Sequence, residues 1–122
     1  MAYTIDTYYE TEIKVKGSKF IAVIFPVDRV EDAMNRLNDV RTHHPKATHH
    51  CWAYKVGCPV TGYRMSDDGE PSGTAGKPIF GQLEAFDVTN ILCVVVRYFG
   101  GTLLGTGGLI KAYKDSAKEV LA

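Results

Sequence analysis

The sequence predicts an α+β fold, a two-layer sandwich in which helices cover one face of a mixed sheet of four or five strands. Three observations point to this class. Apolar residues alternate with a period of two in some stretches and follow helical spacing in others. These stretches succeed one another in the order strand, strand, helix, strand, strand, helix, strand, helix. A hydrophobic content of 45% and a charged content of 23% are ordinary globular values, which excludes disordered, collagen-like and coiled-coil proteins.

Length and charge restrict the classes of function. A chain of 122 residues has the size of one domain, so we expect residues 1–122 to form a single domain. Its 14 Lys and Arg balance 14 Asp and Glu, so the chain lacks the excess positive charge of a protein that binds DNA strongly and non-specifically. Binding of nucleic acid through a local basic patch is still compatible with this balance. The longest apolar run is too short to cross a bilayer, so no membrane association is expected. Three cysteines without framework spacing indicate a reducing compartment and hence a cytoplasmic protein.

The first half of the chain predicts a hairpin followed by a helix. Residues 9–15 alternate as a half-buried strand does, and residues 20–27 form a second run of β-branched and aromatic residues after a turn, so the two should pair antiparallel. Asp28 stands at the position of an N-cap. Apolar residues then recur with helical spacing over 30–40, and the helix should close before Pro45.

The second half predicts three more strands and two helices. Residues 49–56 alternate as a strand, and residues 63–66 read as a short returning strand. Pro78 suits the first turn of a helix. The continuous apolar run over 91–96 is typical of a strand covered on both faces in the middle of a sheet. A helix with an inward apolar stripe should follow over 109–121.

Two glycine-rich segments, at 67–78 and 100–108, interrupt this pattern. Each leads into a predicted helix N-terminus, where first-turn N–H groups lack intrahelical partners and carry partial positive charge, so the pair is a candidate anion site. Formal phosphate motifs are missing, because no P-loop occurs and Ile110 stands where the dinucleotide fingerprint requires its third glycine. The alternative is that the glycines serve tight turns and close packing, and the sequence leaves both open.

Other constellations give no assignable site. The histidines and cysteines between 43 and 58 lack the paired spacing of a zinc site. Ser72 lacks the first glycine of the hydrolase Gly-x-Ser-x-Gly turn. The carboxylates of Asp67, Asp68 and Glu70 would repel a phosphate unless Mg²⁺ intervened, and acids in such turns usually cap N–H groups. We therefore assign no catalytic residue, no metal ligand and no cofactor.

Four segments, in this order, resemble the IMPACT family, whose bacterial branch is called YigZ. The resemblance covers nearly the whole chain, from Thr11 to Ala117. Its segments are residues 16–22 (KGSKFIA), 47–54 (ATHHCWAY), 67–78 (DDGEPSGTAGKP) and 97–113 (RYFGGTLLGTGGLIKAY).

The resemblance implies a fold of the ribosomal-protein-S5-domain-2-like type with a left-handed crossover. It also implies a role in translation regulation. The eukaryotic branch competes for the large activator of the amino-acid-starvation kinase, which acts in a stress response. For the bacterial branch, the resemblance implies an association with nucleic acid or ribosomes. Family members carry a further domain, ferredoxin-like in bacteria and RWD in eukaryotes, whose contacts are not carried over. The family implies no catalytic residues.

We therefore expect a non-catalytic binding domain in translation control that recognises a ribosome, an RNA, a translation-regulator protein or a phosphate-bearing ligand through its two glycine-rich loops. A small enzyme acting on a phosphorylated or nucleotide substrate, with Asp68 as base, is one alternative, and a purely structural interaction domain is another. The candidate binding residues are Asp67, Asp68, Glu70, Ser72, Thr74, Lys77, Arg97, Tyr98, Gly100, Gly101, Thr106, Gly107 and Lys111.

Overall fold

A computed structural model describes residues 2–122. Within that range the chain forms five strands and three helices in the predicted order. The strands are β1 (Tyr9–Val15), β2 (Ser18–Pro26), β3 (His49–Val56), β4 (Gly62–Ser66) and β5 (Ile91–Tyr98). The helices are α1 (Val30–His43), α2 (Gly76–Ala85) and α3 (Gly105–Leu121).

The strands form one sheet in the order β1-β2-β5-β3-β4. The α+β class is confirmed, and β5 lies in the middle, as the apolar run at 91–96 predicts. The expectation of a mixed sheet is wrong for these five strands, since every neighbouring pair is antiparallel. The reason is the position of β5. β2 and β3, which precede and follow α1 in the sequence, run in the same direction. β5 lies between them and is antiparallel to both, so no parallel pair forms.

The helices cover both faces of the sheet. The predicted two-layer arrangement, with all helices on one face, is therefore wrong. α2 and α3 pack on the face that carries Phe20, Ala22 and Ile24 of β2. α1 packs on the opposite face, which carries Ile21 and Val23. Successive side chains of a strand point to opposite faces, so a strand that is apolar at every position requires cover on both sides.

α1 begins at Val30 without a side-chain cap. Its N-cap is Arg29, in an extended conformation (φ −139°, ψ 155°). The prediction of Asp28 as N-cap is therefore wrong, because Asp28 lies one residue before the position whose side chain can reach the first free N–H groups. The predicted stripe is confirmed at Ala33, Leu37 and Val40 of this helix, which are buried, but not at Val30, which is 42% exposed.

Candidate binding surface at the loop end of the sheet

Both glycine-rich segments lie at the same end of the sheet. β4 and β5 are each antiparallel to β3, so they run in the same direction and end at the same edge. α2 follows β4 and α3 follows β5, so the N-termini of both helices are placed at that edge. We call residues 66–78 and 98–108 the loop end.

The first segment of the loop end is closed by Asp67. One carboxylate oxygen accepts hydrogen bonds from the N–H groups of Ala75 (3.1 Å) and Gly76 (2.8 Å), and the other accepts one from Gly73 (2.9 Å). Partial burial raises the pKa of this carboxyl, but the three N–H donors outweigh it and the pKa is lowered. Asp67 therefore occupies the N-terminus of α2 and neutralises the anion-binding capacity expected there.

Glu70 and Arg97 form a buried ion pair behind the first segment. Nη1 of Arg97 lies 2.8 Å from Oε2 and 3.1 Å from Oε1 of Glu70. Tyr113 of α3 donates its hydroxyl to Oε2 at 2.5 Å, and Nη2 of Arg97 donates to the hydroxyl of Ser18 at 3.3 Å. Arg97, expected to face a phosphate or an acidic partner, instead ties the first segment to β2, β5 and α3.

Cys51 and His49 border this pair but supply no exposed nucleophile. The thiol of Cys51 lies 3.0 Å from the Asp67 carbonyl and 3.4 Å from the Tyr113 hydroxyl, and the residue is fully buried. Desolvation is the largest cause that raises the pKa of Cys51, so the thiol stays protonated at neutral pH. Nε2 of His49 lies 3.4 Å from Oε1 of Glu70, while Nδ1 contacts the Asp68 carbonyl at 2.8 Å. The cluster is a structural network at the root of the loops.

The second segment is open to solvent. Phe99 is 47% exposed, and Leu103, in the middle of the segment, is 82% exposed. Gly100 packs tightly, since a Cβ there would meet the backbone carbon of Gly17 at 2.0 Å. Gly107 has open space around its Cβ position and no positive φ. Packing and turn geometry therefore explain Gly100 and leave Gly107 without a structural reason to be glycine.

The structure divides the predicted binding residues by exposure. Three of them are buried. Among these, Thr74 donates its hydroxyl to the Pro71 carbonyl at 2.6 Å, so this hydroxyl is not directed at a ligand. Asp68 is half-buried and accepts the N–H of His50 at 2.7 Å, and the Tyr98 hydroxyl contacts Nδ1 of His44 at 2.6 Å. The buried residues are Glu70, Thr74 and Arg97; the half-buried ones are Asp67, Asp68 and Tyr98; the exposed ones are Ser72, Lys77, Gly100, Gly101, Thr106, Gly107 and Lys111.

Sequence reasoning missed two kinds of residue at this end. Ser18 and Tyr113 complete the Arg97–Glu70 network from elements distant in sequence, and nothing in their neighbours signals that contact. Leu103 and Phe99 are exposed apolar side chains. Sequence could not tell Leu103 from its neighbour, because Leu104 lies between the same two glycines, Gly101 and Gly105, and is buried.

Two cavities lie elsewhere, beside α1. They have volumes of about 560 Å³ and about 500 Å³, and both are lined in part by Arg36 and Asp39. Among residues 2–122, no three His, Cys, Asp or Glu side chains come together as a metal would require. No helix in that range is both long and apolar enough to cross a membrane.

Comparison with known proteins identifies the family. The model of the Impact N-terminal domain matches residues 16–121, which include both glycine-rich segments. The chain belongs to the IMPACT family. It is 48% identical over 110 residues to the IMPACT family member YigZ of Escherichia coli, which covers 88% of this chain and 54% of that protein. It is 40% identical over 119 residues to the IMPACT family member YvyE of Bacillus subtilis, covering 98% of this chain and 55% of that protein.

Solved structures share this fold. A crystal structure reported as that of a hypothetical protein superposes with a TM-score of 0.91 at 44% identity, covering 94% of this chain and 57% of the other. The structure of the two-domain translational regulator Yih1 superposes with a TM-score of 0.60 at 24% identity, covering 96% of this chain and 46% of the other. The second match shows the shared fold alone. The chain spans about half the length of the curated bacterial relatives it matches.

Proposed function

We propose that this IMPACT-family domain is a non-catalytic binding domain in the control of translation, and that it holds its partner at the loop end of the sheet. The structural neighbour Yih1 is described as a translational regulator, which supports the process. The family membership supports carrying that process to this chain. The partner classes are those expected from the sequence: a ribosome, an RNA or a translation-regulator protein.

The observation that carries this proposal is the exposed second segment. Leu103 is 82% exposed at its centre and Phe99 beside it is 47% exposed, so the segment presents apolar surface on a loop, the kind of element that often carries binding residues. Gly107 follows in the first turn of α3, where a side chain would have room within this chain. A partner that approaches the backbone at this turn accounts for a glycine that packing does not require.

The arrangement of polar groups favours binding over catalysis. Asp68, the expected base of an enzyme acting on phosphorylated substrates, already accepts the N–H of His50 at 2.7 Å. The carboxylate of Glu70 is bound by Arg97 and by the hydroxyl of Tyr113. A general base needs a lone pair directed at the substrate; the buried Glu70 carboxylate is taken up by Arg97 and Tyr113, and one oxygen of Asp68 is taken up by the N–H of His50.

Cosedimentation with ribosomes on a sucrose gradient tests the proposal. The wild-type chain should move with the ribosomal fraction, and Leu103→Asp should reduce the bound fraction about tenfold. Val60→Asp is the matched control, because Val60 is exposed on the β3–β4 turn at the opposite end of the sheet. Equal reduction by both variants, or no effect of Leu103→Asp, would refute the loop end as the binding surface.

A further inference from the structure

β1 forms one edge of the sheet, and no strand among residues 2–122 pairs with its outer side. Exposed edges are often protected by a proline, by a bulge or by a covering element. β1 contains no proline, and its 7 residues pair one-to-one with β2 without a bulge. The chain before β1 runs elsewhere, because Tyr3 pairs with Val88, near the start of β5. β1 is therefore a regular strand whose outer side is open to pairing.

The turn after β1 determines which backbone groups point outward. Lys16 and Gly17 both have positive φ (48° and 84°), as in the two-residue type I′ turn. The two residues that flank such a turn form a hydrogen-bonded pair, and hydrogen-bonded pairs then recur at every second residue. The odd-numbered residues of β1 are therefore hydrogen-bonded to β2. The N–H and C=O groups of Glu10, Glu12 and Lys14 point away from the sheet.

The same residues carry charged side chains without partners. Glu10, Glu12 and Lys14 are exposed on the face of the sheet that α1 covers farther along. Within residues 2–122, none of them forms an ion pair. Lys14 lies directly opposite another lysine, Lys19 of β2, and like charges in that position are destabilising. A carboxylate on the outer side of Lys14 would offset this repulsion.

We propose that the outer edge of β1 binds the same edge of a second copy of this chain, antiparallel and about a two-fold axis at Ile13. In this register, Glu12 of each copy lies opposite Lys14 of the other, and their outward backbone groups form hydrogen bonds. On the opposite face Ile13 meets Ile13, and Thr11 meets Val15, so that β-branched side chains pair. This inference does not rest on the proposed function, because β1 lies outside the loop end.

Charge complementarity favours this register and a second copy as the occupant. A shift by two residues in one direction brings Glu12 opposite Glu12, and the same shift in the other direction brings Lys14 opposite Lys14. The proposed register contains no like-charged pair, since Glu10 also falls opposite Lys16. The paired residues 11–15 of each copy span only about 17 Å. An interface of this length is smaller than that of a permanent dimer, so the association should be reversible and depend on concentration.

Sedimentation equilibrium of the chain over a range of concentrations tests the proposal. The wild-type chain should pass from monomer to dimer between about 10 μM and about 1 mM. Glu12→Lys and Lys14→Glu should each weaken the association by about tenfold or more, because each places like charges opposite each other on both sides of the axis. The melting temperature of Lys14→Glu should not fall, since this change also removes the repulsion from Lys19 within the hairpin.

Mixing these two variants tests the register itself. The Glu12→Lys chain carries lysine at both positions, and the Lys14→Glu chain carries glutamate at both. Every charged pair in a mixed dimer is therefore complementary again. An equimolar mixture should recover the wild-type affinity to within about threefold, although neither variant dimerises well alone. Recovery in the mixture also excludes unfolding as the cause of the loss in the single variants.

Arg64→Glu is the matched control, because Arg64 is an exposed charge on β4, the opposite edge of the sheet. It should leave the association unchanged, and so should Leu103→Asp at the loop end. A wild-type chain that stays monomeric at about 1 mM, or a mixture that does not associate, would overturn the inference. An effect of Arg64→Glu equal to that of Lys14→Glu would do so as well. None of these results bears on ribosome cosedimentation, so the two proposals can fail separately.

Discussion

Glu70 and Arg97 face each other across the root of the two glycine-rich segments, with 2.8 Å between Oε2 and Nη1 and side chains only 4% and 6% exposed. A buried charge that keeps its partner contributes little net stability, but a buried charge that loses its partner is costly. This pair therefore makes the loop geometry depend on residues 27 positions apart in sequence.

Arg97→Met should destabilise the fold by about 3–5 kcal/mol, because it leaves the carboxylate of Glu70 buried without its counter-charge. The free energy of unfolding measured in urea checks this. Lys111→Met is the matched control, since the Lys111–Asp115 pair is exposed and its loss should cost less than about 1 kcal/mol. Equal costs for the two variants would contradict the assignment of a buried pair.

The Asp67 cap should make stability depend on pH. Its pKa is lowered in the folded state, so the ionised carboxylate stabilises the fold above the pKa of the unfolded chain, about 4, and the contribution disappears as the pH falls through the folded value. Asp67→Asn should cost about 1 kcal/mol at pH 7. The difference in free energy of unfolding from the wild type should narrow as the pH is lowered from 5 to 3. A difference that stays constant with pH would show that the charge of Asp67 is not what holds the N–H groups.

Two glycines of the second segment should respond oppositely to alanine. Gly100→Ala should prevent folding or destabilise it by several kcal/mol, since its Cβ would lie 2.0 Å from a backbone atom of Gly17 that cannot move aside. Gly107→Ala should raise the free energy of unfolding by about 0.5–1 kcal/mol, because the site is open and alanine favours the helix. Thermal melts compare the two, and a strongly destabilised Gly107→Ala would mean that packing explains this glycine as well.

The three thiols should differ in reactivity. Cys58 is exposed, while Cys51 and Cys93 are buried, and desolvation raises the pKa of Cys93 to about 12. One thiol per chain should therefore react with a disulfide reagent at pH 8 in the native state, and all three after denaturation. Labelling followed by mass spectrometry identifies the site. Rapid native labelling of Cys51 would show that the network around Tyr113 opens in solution.

The order and type of the elements could be predicted because each depends on local periodicity. The run at 91–96 predicted its own central position, and Trp52 and Tyr54 were correctly expected in the core. The same run argued for cover on both faces, so it conflicted with the predicted placement of all helices on one face. Periodicity indicates that a face of a strand is apolar, but it does not indicate which helix packs on that face.

The candidate site was predictable only in outline. Glycines and helix starts marked both segments, and strand direction then brought them to one edge. The partners of the charged residues were not predictable, because they are set by tertiary contacts. Asp67 accepts the N–H of Gly76, and Arg97 pairs with Glu70.

Amide hydrogen exchange of the chain, free and with the ribosomal fraction, tests the central claim most directly. If the loop end holds the partner, protection should appear at its exposed second segment, residues 98–108, and leave the residues around the cavities beside α1 unchanged. Protection confined to the α1 face, or exchange that is identical with and without the fraction, would contradict the account.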